Sequence, residues 1–392
     1  MPWRECDKVS ERMKFLSKLL GGERMTDVCR EFGISRTTGH KILTRYKKEG
    51  VASVLDKSRA PRNPGNRTPR TIEMAILSLK DVHPTWGAPK IRRVLQDRLP
   101  LDSVPAKSTV HAILERNGLV KRKKKRSSHK SEGTPLHDAA DPNDLWCTDF
   151  KGKFRMGNER YCHALTTSDQ ISRFILGCEA LESTQQEEAI RVFERMFLEY
   201  GLPWAIRSDN GVPFATTGIF GLSRLSVYWL RLGIRLERIQ PGHPEQNGRH
   251  ERMHRTLKET TTKPPGKNIL QQQEMFDAFV NTYNNERPHE GLEMATPSVK
   301  YRSSERVCPQ ILPEPNYPEA DEIAYITQCG TIYLGGRQKV FVGESLGGQL
   351  VGLNEVEEGI WKVQFMDYDL GYFDKESCKF SRGPNPFLTN NL

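Results

Sequence analysis

No stretch of this 392-residue sequence approaches the ~20 consecutive apolar residues needed to cross a bilayer, so a membrane-spanning protein is not expected. The N-terminus, MPWRECDKVSERMKF, lacks the uninterrupted apolar run of a secretory signal, and export is not expected either. Cysteine is sparse and scattered (6, 29, 147, 162, 178, 308, 329 and 378), with no CxxC pair and no short Cys/His spacing. That pattern argues against a tetrahedral zinc site and a disulfide framework, and is that of reduced thiols in a cytosolic protein. Acidic residues are scarce in one part only. Residues 1–126 hold 30 Lys and Arg against 13 Asp and Glu, a net of +17, whereas residues 127–392 hold 29 against 36, a net of −7. The N-terminal third is therefore the polyanion-binding part; such charge gives salt-dependent affinity for phosphate backbones without reading sequence.

The length exceeds what one hydrophobic core usually organises, and the chain divides along its pattern. Apolar residues recur at helical spacing from Ser10 to Leu20 and stop at Gly21-Gly22. MTDVCREF, the turn Gly33-Ile34-Ser35 and RTTGHKILTRYKKEG then read as a helix-turn-helix over residues 1–57. Ser35 suits an N-cap, and Ile42, Leu43 and Tyr46 form the inward stripe. Its second helix would turn Arg36, Thr37, His40, Lys41 and Arg45 outward, residue types that meet bases and phosphates in a major groove; a plain solvated face has the same pattern. A basic, proline-rich linker (58–70) leads to a second helix-turn-helix-like unit over 71–120, and a flexible stretch over 121–143 opens with Lys121, Arg122, Lys123, Lys124, Lys125 and Arg126. That run is either a solvated linker or a backbone contact.

From Asp144 the pattern changes to two-residue alternation. LWCTDFKGKF, RYCHALTTSD and RFILGCEAL read as three adjacent strands; a helix, the strand AIRSDNG, a helix around FGLSRLSVYWLRLGI, the strand RLERIQ and a helix from about Glu245 to Thr262 follow. The order βββ-α-β-α-β-α predicts an α/β domain with a mixed sheet over 144–302. Residues 318–382 contain short strands with Gly turns, and predict a small β-barrel.

Three acids stand in informative contexts: Asp149 in LWCTDF on a strand, Asp209 in IRSDNG where a strand ends, and Glu251 in HPEQNGRHERMHRTLK on a helix whose Arg255 and Lys258 share its face. Oxygen-only ligands suit Mg²⁺ or Mn²⁺, and two such ions can serve an in-line displacement at phosphorus. The residues alone leave another reading open: an edge-strand charge, a turn-former and half of an i,i+4 ion pair with Arg255. Asp169, in TTSDQISRF, is set aside because an Asp before a turn commonly bonds backbone.

The strings WCTDF, RSDNGVPF, PGHPEQNGRHERMHRTLK and YNNERPHEGLEMATPSVKY resemble the integrase core of bacterial insertion-sequence transposases, which are related to retroviral integrases. With the helix-turn-helix region and the C-terminal β module, the resemblance covers most of the chain. It implies an RNase H-like catalytic core in which Asp149, Asp209 and Glu251 are the DDE ligands of two Mg²⁺ or Mn²⁺ ions. It further implies a DDE transposase, that is a polynucleotidyl transferase with endonuclease activity, which binds the terminal inverted repeats of an insertion sequence and transfers them to target DNA. Arg255 and Lys258 would lie on the helix that meets transposon-end DNA. The partners implied are double-stranded DNA and at least one further copy of the chain, in the bacterial cytoplasm with the nucleoid. Two departures stand out: 41 residues separate Asp209 from Glu251, a longer gap than is usual in the family, and the N-terminus has no HHCC zinc pattern. Two rivals remain, a DNA-binding protein with an inactive core and a structure-selective nuclease without strand transfer.

Overall fold

The computed structural model describes residues 7–57, 68–120, 139–240, 243–334 and 338–387. The chain forms two compact units, Met1–Pro69 and Arg70–Leu392.

The first unit is three helices, α1 (Lys8–Leu20), α2 (Met25–Glu31) and α3 (Arg36–Glu49). Asp7 caps α1 by accepting from the Val9 amide, and Ser35 caps α3 by accepting from the Thr38 amide. Phe15, Leu16, Val28, Cys29 and Val54 form the core, with Ile42, Leu43 and Tyr46 packed against it. Gly39 allows the close crossing of α2 and α3: a Cβ there would stand 2.6 Å from the Cys29 sulfur and 2.8 Å from that of Met25. The glycine therefore serves packing despite its cost inside a helix.

The second unit begins with α4 (Arg70–Val82), α5 (Ala88–Arg98) and α6 (Lys107–Arg116) around Ile76, Trp86, Ile91, Leu95, Val110 and Ile113. The central sheet follows, with β1 (Leu145–Arg155), β2 (Tyr161–Asp169), β3 (Ile175–Leu181), β4 (Ala205–Ser208) and β5 (Arg235–Arg238) in the order β3-β2-β1-β4-β5. The first three pair antiparallel, while β1 with β4 and β4 with β5 pair parallel, so the mixed sheet anticipated from the strand pattern is what forms. Helices α7 (Gln186–Tyr200) and α8 (Arg224–Arg231) cover one face through Phe193, Phe197 and Trp229. On the other face α9 (Gly248–Thr261) and α10 (Ile269–Asn281) pack Met253, Leu257, Phe276 and Phe279 against Cys162, Ala164 and Cys178.

Strand β3 is an edge of this sheet, and side chains satisfy its outer backbone groups. Gln273 accepts from the Ala180 amide and donates to the Cys178 carbonyl. Asn284, within YNNERPHEGL, does the same for Ile175 at 2.9 Å in each direction. That segment thus closes the sheet edge against further pairing.

The C-terminal region corrects one expectation, because it is not a closed barrel. Its strands β6 (Glu322–Tyr325), β9 (Leu350–Glu357), β10 (Ile360–Phe365), β11 (Tyr368–Asp374) and β12 (Lys379–Arg382) form an open antiparallel sheet in the order β12-β11-β10-β9-β6. Strands β7 (Thr331–Leu334) and β8 (Gln338–Phe341) form a separate hairpin. Closure requires the first and last strands to pair, but β6 pairs with β9 and β12 with β11, and each of these edges is only four residues long. The open side is instead covered by the hairpin and by the central domain. Ile332 and Val340 of the hairpin share a core with Val351, Leu353, Val363 and Phe373, and with Ile219, Phe220, Val227 and Leu230. The lengthened segment between Asp209 and Glu251 therefore has a structural use: the expected helix around FGLSRLSVYWLRLGI forms as α8, and the residues before it (212–223) make a loop with one short 3-10 turn at Ile219–Gly221 that seats the C-terminal sheet. The Arg238 guanidinium holds that loop through the carbonyls of Phe220 and Gly221 at 3.2 and 2.9 Å.

Candidate active site

Each of the three acids is delivered by a different device. Asp149 lies on β1 opposite Thr166 of β2, in the register that places it ahead of an irregularity at Phe150–Lys153. Asp209 follows β4 directly and accepts from the Gly211 amide at 3.1 Å, the local bond that makes Asp suitable before a turn. Glu251 occupies the first turn of α9, exposed, while His250, Met253, His254, Leu257 and Thr261 form the buried stripe of the same helix.

The start of α9 is fixed from below. Arg207 on β4, almost wholly buried, pairs with Glu237 on β5 at 2.8 Å and donates to the Gln246 carbonyl at 2.9 Å. Asn210 donates to the Ile239 carbonyl at 2.7 Å, tying the Asp209 turn to the strand that leads into α9.

Asp149 feels the other two carboxylates. Burial pushes Asp149 up to about 7, and the charges of Asp209 and Glu251 push the same way against Lys151. Burial also raises Asp209, opposed by the Gly211 amide. Glu251 and Arg255 form no ion pair, so the helix-surface alternative for Glu251 lacks its partner among the described residues. Among those residues no three His, Cys, Asp or Glu side chains stand at the mutual spacing of a finished metal site. The donor set nonetheless fits a hard divalent cation: all-oxygen, mutually repelling and free of any Lys or Arg salt bridge.

Beneath these acids lies a polar network that the sequence did not disclose. The Thr166 hydroxyl donates to the Asp149 carbonyl at 3.1 Å and meets Nε2 of His250 at 2.8 Å and Nε2 of His254 at 2.5 Å. His250 Nδ1 meets the Ser168 hydroxyl at 2.8 Å, and His254 Nδ1 stands 3.6 Å from the Asp149 carboxylate. One hydroxyl proton serves one acceptor, so both imidazoles donate to Thr166 from Nε2, and Ser168 donates to His250. Neutral rings are also what burial enforces. His250 is pushed down to about 3 and His254 is lowered further by burial, by its neighbour His250 and by Lys151. The network locks α9 to β1 and β2 directly under Asp149. Thr166→Val keeps the shape but leaves two buried N–H groups without an acceptor, and is expected to cost about 2–4 kcal/mol in urea unfolding. A loss below about 0.5 kcal/mol would show that the hub carries no such burden.

The other candidates from the sequence separate. Arg36, Thr37, His40 and Lys41 are exposed on α3, as a groove-facing helix needs. Arg45 departs from that set, since it is half-buried and bonded to Glu49 at 3.3 Å and to the Leu55 carbonyl at 2.7 Å. Arg255 and Lys258 are exposed beside Glu251 on α9. Lys121, Arg122, Lys123, Lys124, Lys125 and Arg126 lie outside the described residues. Asp169 turns both carboxylate oxygens to local donors: the amides of Asn143, Ile171 and Ser172 and the Ser172 hydroxyl. Lys151 went unnoticed although two-residue strand spacing places it beside Asp149, where its charge bears on Asp149, His250 and His254.

Residues 139–244 and 232–297 match models of an integrase core domain. The chain carries an integrase core. Residues 11–62 match a helix-turn-helix domain and residues 38–114 a homeodomain-like domain, so the integrase core is preceded by DNA-binding modules. The chain is similar to the 39.2 kDa protein of insertion element IS476 from Xanthomonas euvesicatoria, 24% identical over 61% of this chain and 68% of that protein. It is also similar to the 31.7 kDa protein of insertion element IS407 from Burkholderia multivorans, 25% identical over 50% of this chain and 76% of that one. Part of it is 32% identical to the Gag-Pol polyprotein of baboon endogenous virus, over 31% of this chain; the chain spans only 7% of that polyprotein. Among solved structures, the HTLV-2 integrase catalytic core domain in complex with magnesium covers 42% of this chain at 15% identity and a TM-score of 0.34. No helix among the described residues is long and apolar enough to cross a membrane.

Proposed function

We propose that the chain is a DDE transposase, a polynucleotidyl transferase with endonuclease activity that binds the terminal inverted repeats of an insertion sequence and joins them to target DNA. The observation that carries this reading is the placement of Asp149 on β1, Asp209 directly after the neighbouring parallel strand β4 and Glu251 in the first turn of α9, within the residues that match an integrase core. Asp149, Asp209 and Glu251 would hold Mg²⁺ or Mn²⁺, two ions per site. When bound, these supply activation of the attacking oxygen and neutralisation of the leaving one. The chain's own residues do the rest. The Thr166–His250–His254 hub keeps Asp149 in place, and Arg207 fixes the approach of α9. Lys151, Arg255 and Lys258 offer cations to the phosphates that flank the reacting one. The exposed face of α3 would read or position the duplex. Pairing two transposon ends calls for at least two copies of the chain, which sedimentation on paired-end DNA would detect.

The test incubates the full chain with labelled candidate ends, Mg²⁺ and a target plasmid. Joined end–plasmid products are the expected result. Cutting without joining would leave a nuclease, and binding without either would leave a DNA-binding protein with an inactive core.

A further inference from the structure

A cavity of about 500 Å³ lies on another flank of α9, and the acids do not line it in the way its cations do. Lys90 from α5, Arg173 from the turn after β2, Arg249, Arg252 and Arg255 from α9, and Arg287 from the YNNERPHEGL segment all line it. Only Asp169 and Glu290 are acidic there, and Asp169 is already bonded to three amides and a hydroxyl. None of the six cations forms a salt bridge among the described residues. The Nε atoms of Arg173 and Arg287 and Nε2 of His289 are buried without a hydrogen-bond partner. Six cations gathered around two carboxylates, with no salt bridge among the described residues, repel one another, and the groups register it. Burial and the neighbouring Arg287 bring Lys90 down to about 7; burial, then Lys90, Arg287 and Arg173, bring His289 down to about 3.

The backbone is shaped to keep this charge inward. Arg173 has a φ of 63°, a left-handed conformation that a bulky residue adopts at a cost. Its guanidinium rests on Gly291, where a Cβ would stand 2.0 Å from Nη2. A fold that strains one arginine and clears a glycine to crowd it against five more cations is one that a bound anion would stabilise.

We infer that this cavity binds phosphodiester groups of a nucleic-acid strand, as a second anchoring site beside the three acids, with Arg255 at the border between the two. Arg252 and Arg249 stand roughly 100° and 160° around α9 from Glu251, with Arg255 about 40° from it, so a strand crossing the helix would meet the acids on one flank and these cations on the next. Planar guanidinium forks at several angles suit tetrahedral phosphate oxygens. The inference rests on the proposed function for the source of the phosphate, but binding is measured without any cutting.

The experiment compares the full chain with a Lys90→Gln/Arg252→Gln double variant, neither side chain making a hydrogen bond that the fold needs. A Lys300→Gln/Lys379→Gln variant, exposed elsewhere, removes the same charge. Anisotropy of a labelled duplex is followed against KCl without divalent cation. The cavity variant should lose about two from the slope of log K against log salt, and the control less than one. Inorganic tripolyphosphate should raise the melting midpoint of the wild type but not that of the cavity variant. The cavity variant alone should melt no lower than the wild type, because repulsion is relieved. Equal slopes for wild type and cavity variant, or equal losses in the cavity and control variants, would overturn the assignment. Loss of the tripolyphosphate effect with an unchanged slope would also overturn it and leave a site for free polyphosphate. A cavity variant with the shallower slope in a chain that never joins ends would retain this inference while removing the transposase reading.

Discussion

Replacing Asp149 by Asn is expected to lower DNA cleavage by at least about a thousandfold while raising the melting midpoint of the cation-free protein. The two effects share one cause. Asp149 sits three-quarters buried over a sheet, facing two further carboxylates, and these hold its carboxyl near 7 where an unfolded chain would have about 4. A folded pKa above the unfolded one means that the folded state holds the extra proton between those values. The cation-free protein therefore loses stability as pH rises from about 4 to about 7, and the penalty is fully present above that. Asn keeps the shape and carries no charge, so its gain should be about 1–3 kcal/mol at pH 8 and should vanish near pH 4. Chemistry moves the opposite way, since an amide cannot replace an anionic ligand and a thousandfold loss corresponds to about 4 kcal/mol of barrier. Asp209→Asn and Glu251→Gln should match the activity loss, and end binding should survive in all three. A variant cutting at the wild-type rate would remove its residue from the ligand set; an Asp149→Asn protein less stable at pH 8 would show the carboxylate to be locally supported.

The residues that could be read in advance are those whose roles depend on near neighbours in the chain. Two-residue alternation and Gly turns disclosed all five core strands, and the Asp209 turn follows from Asn210-Gly211 next to it. The central network was hidden by its composition. His250 and His254 occupy inward positions of α9 that a pattern of apolar residues does not mark, and their acceptor, Thr166, is more than 80 positions away. Arg173 was hidden for a related reason. A turn arginine is ordinarily solvated, and what turns this one inward is Gly291, far along the chain. Arg45 looked outward because helical spacing marks faces but not the Leu55 carbonyl that the following turn returns to it. Strand pattern likewise gave the C-terminal β segments without their closure, which depends on whether β6 meets β12, a pairing between segments more than 50 residues apart. The cores of α4 to α6 and of the central sheet posed no such difficulty, because their apolar spacing is self-contained.

The same substitution at Asp169 should act in reverse and destabilise the fold. Asp169 is 1% exposed, yet no cation neutralises it; donors do. One oxygen accepts from the Asn143 amide at 2.8 Å, and the other from the Ile171 amide at 3.2 Å, the Ser172 amide at 2.7 Å and the Ser172 hydroxyl at 2.5 Å. Asn143 is itself a hub, held at a φ of 70°. Its side chain accepts from Trp146 Nε1 and from the Tyr301 hydroxyl, each at 3.0 Å, and donates to the Arg302 carbonyl at 2.8 Å. Asp169→Ala strands three buried amides at once and should cost about 3–5 kcal/mol. Asp169→Asn points an NH₂ at a position that already faces an N–H, so it should still cost about 2–4 kcal/mol, measured by urea unfolding with an unchanged m-value. Burial nonetheless lifts the Asp169 carboxyl above its ordinary value, so a stabilising Asn variant is the outcome that would refute this account. Opposite signs at Asp149 and Asp169 would separate a carboxylate suited to binding a cation from one satisfied by the protein's own donors, on the same two strands of one sheet.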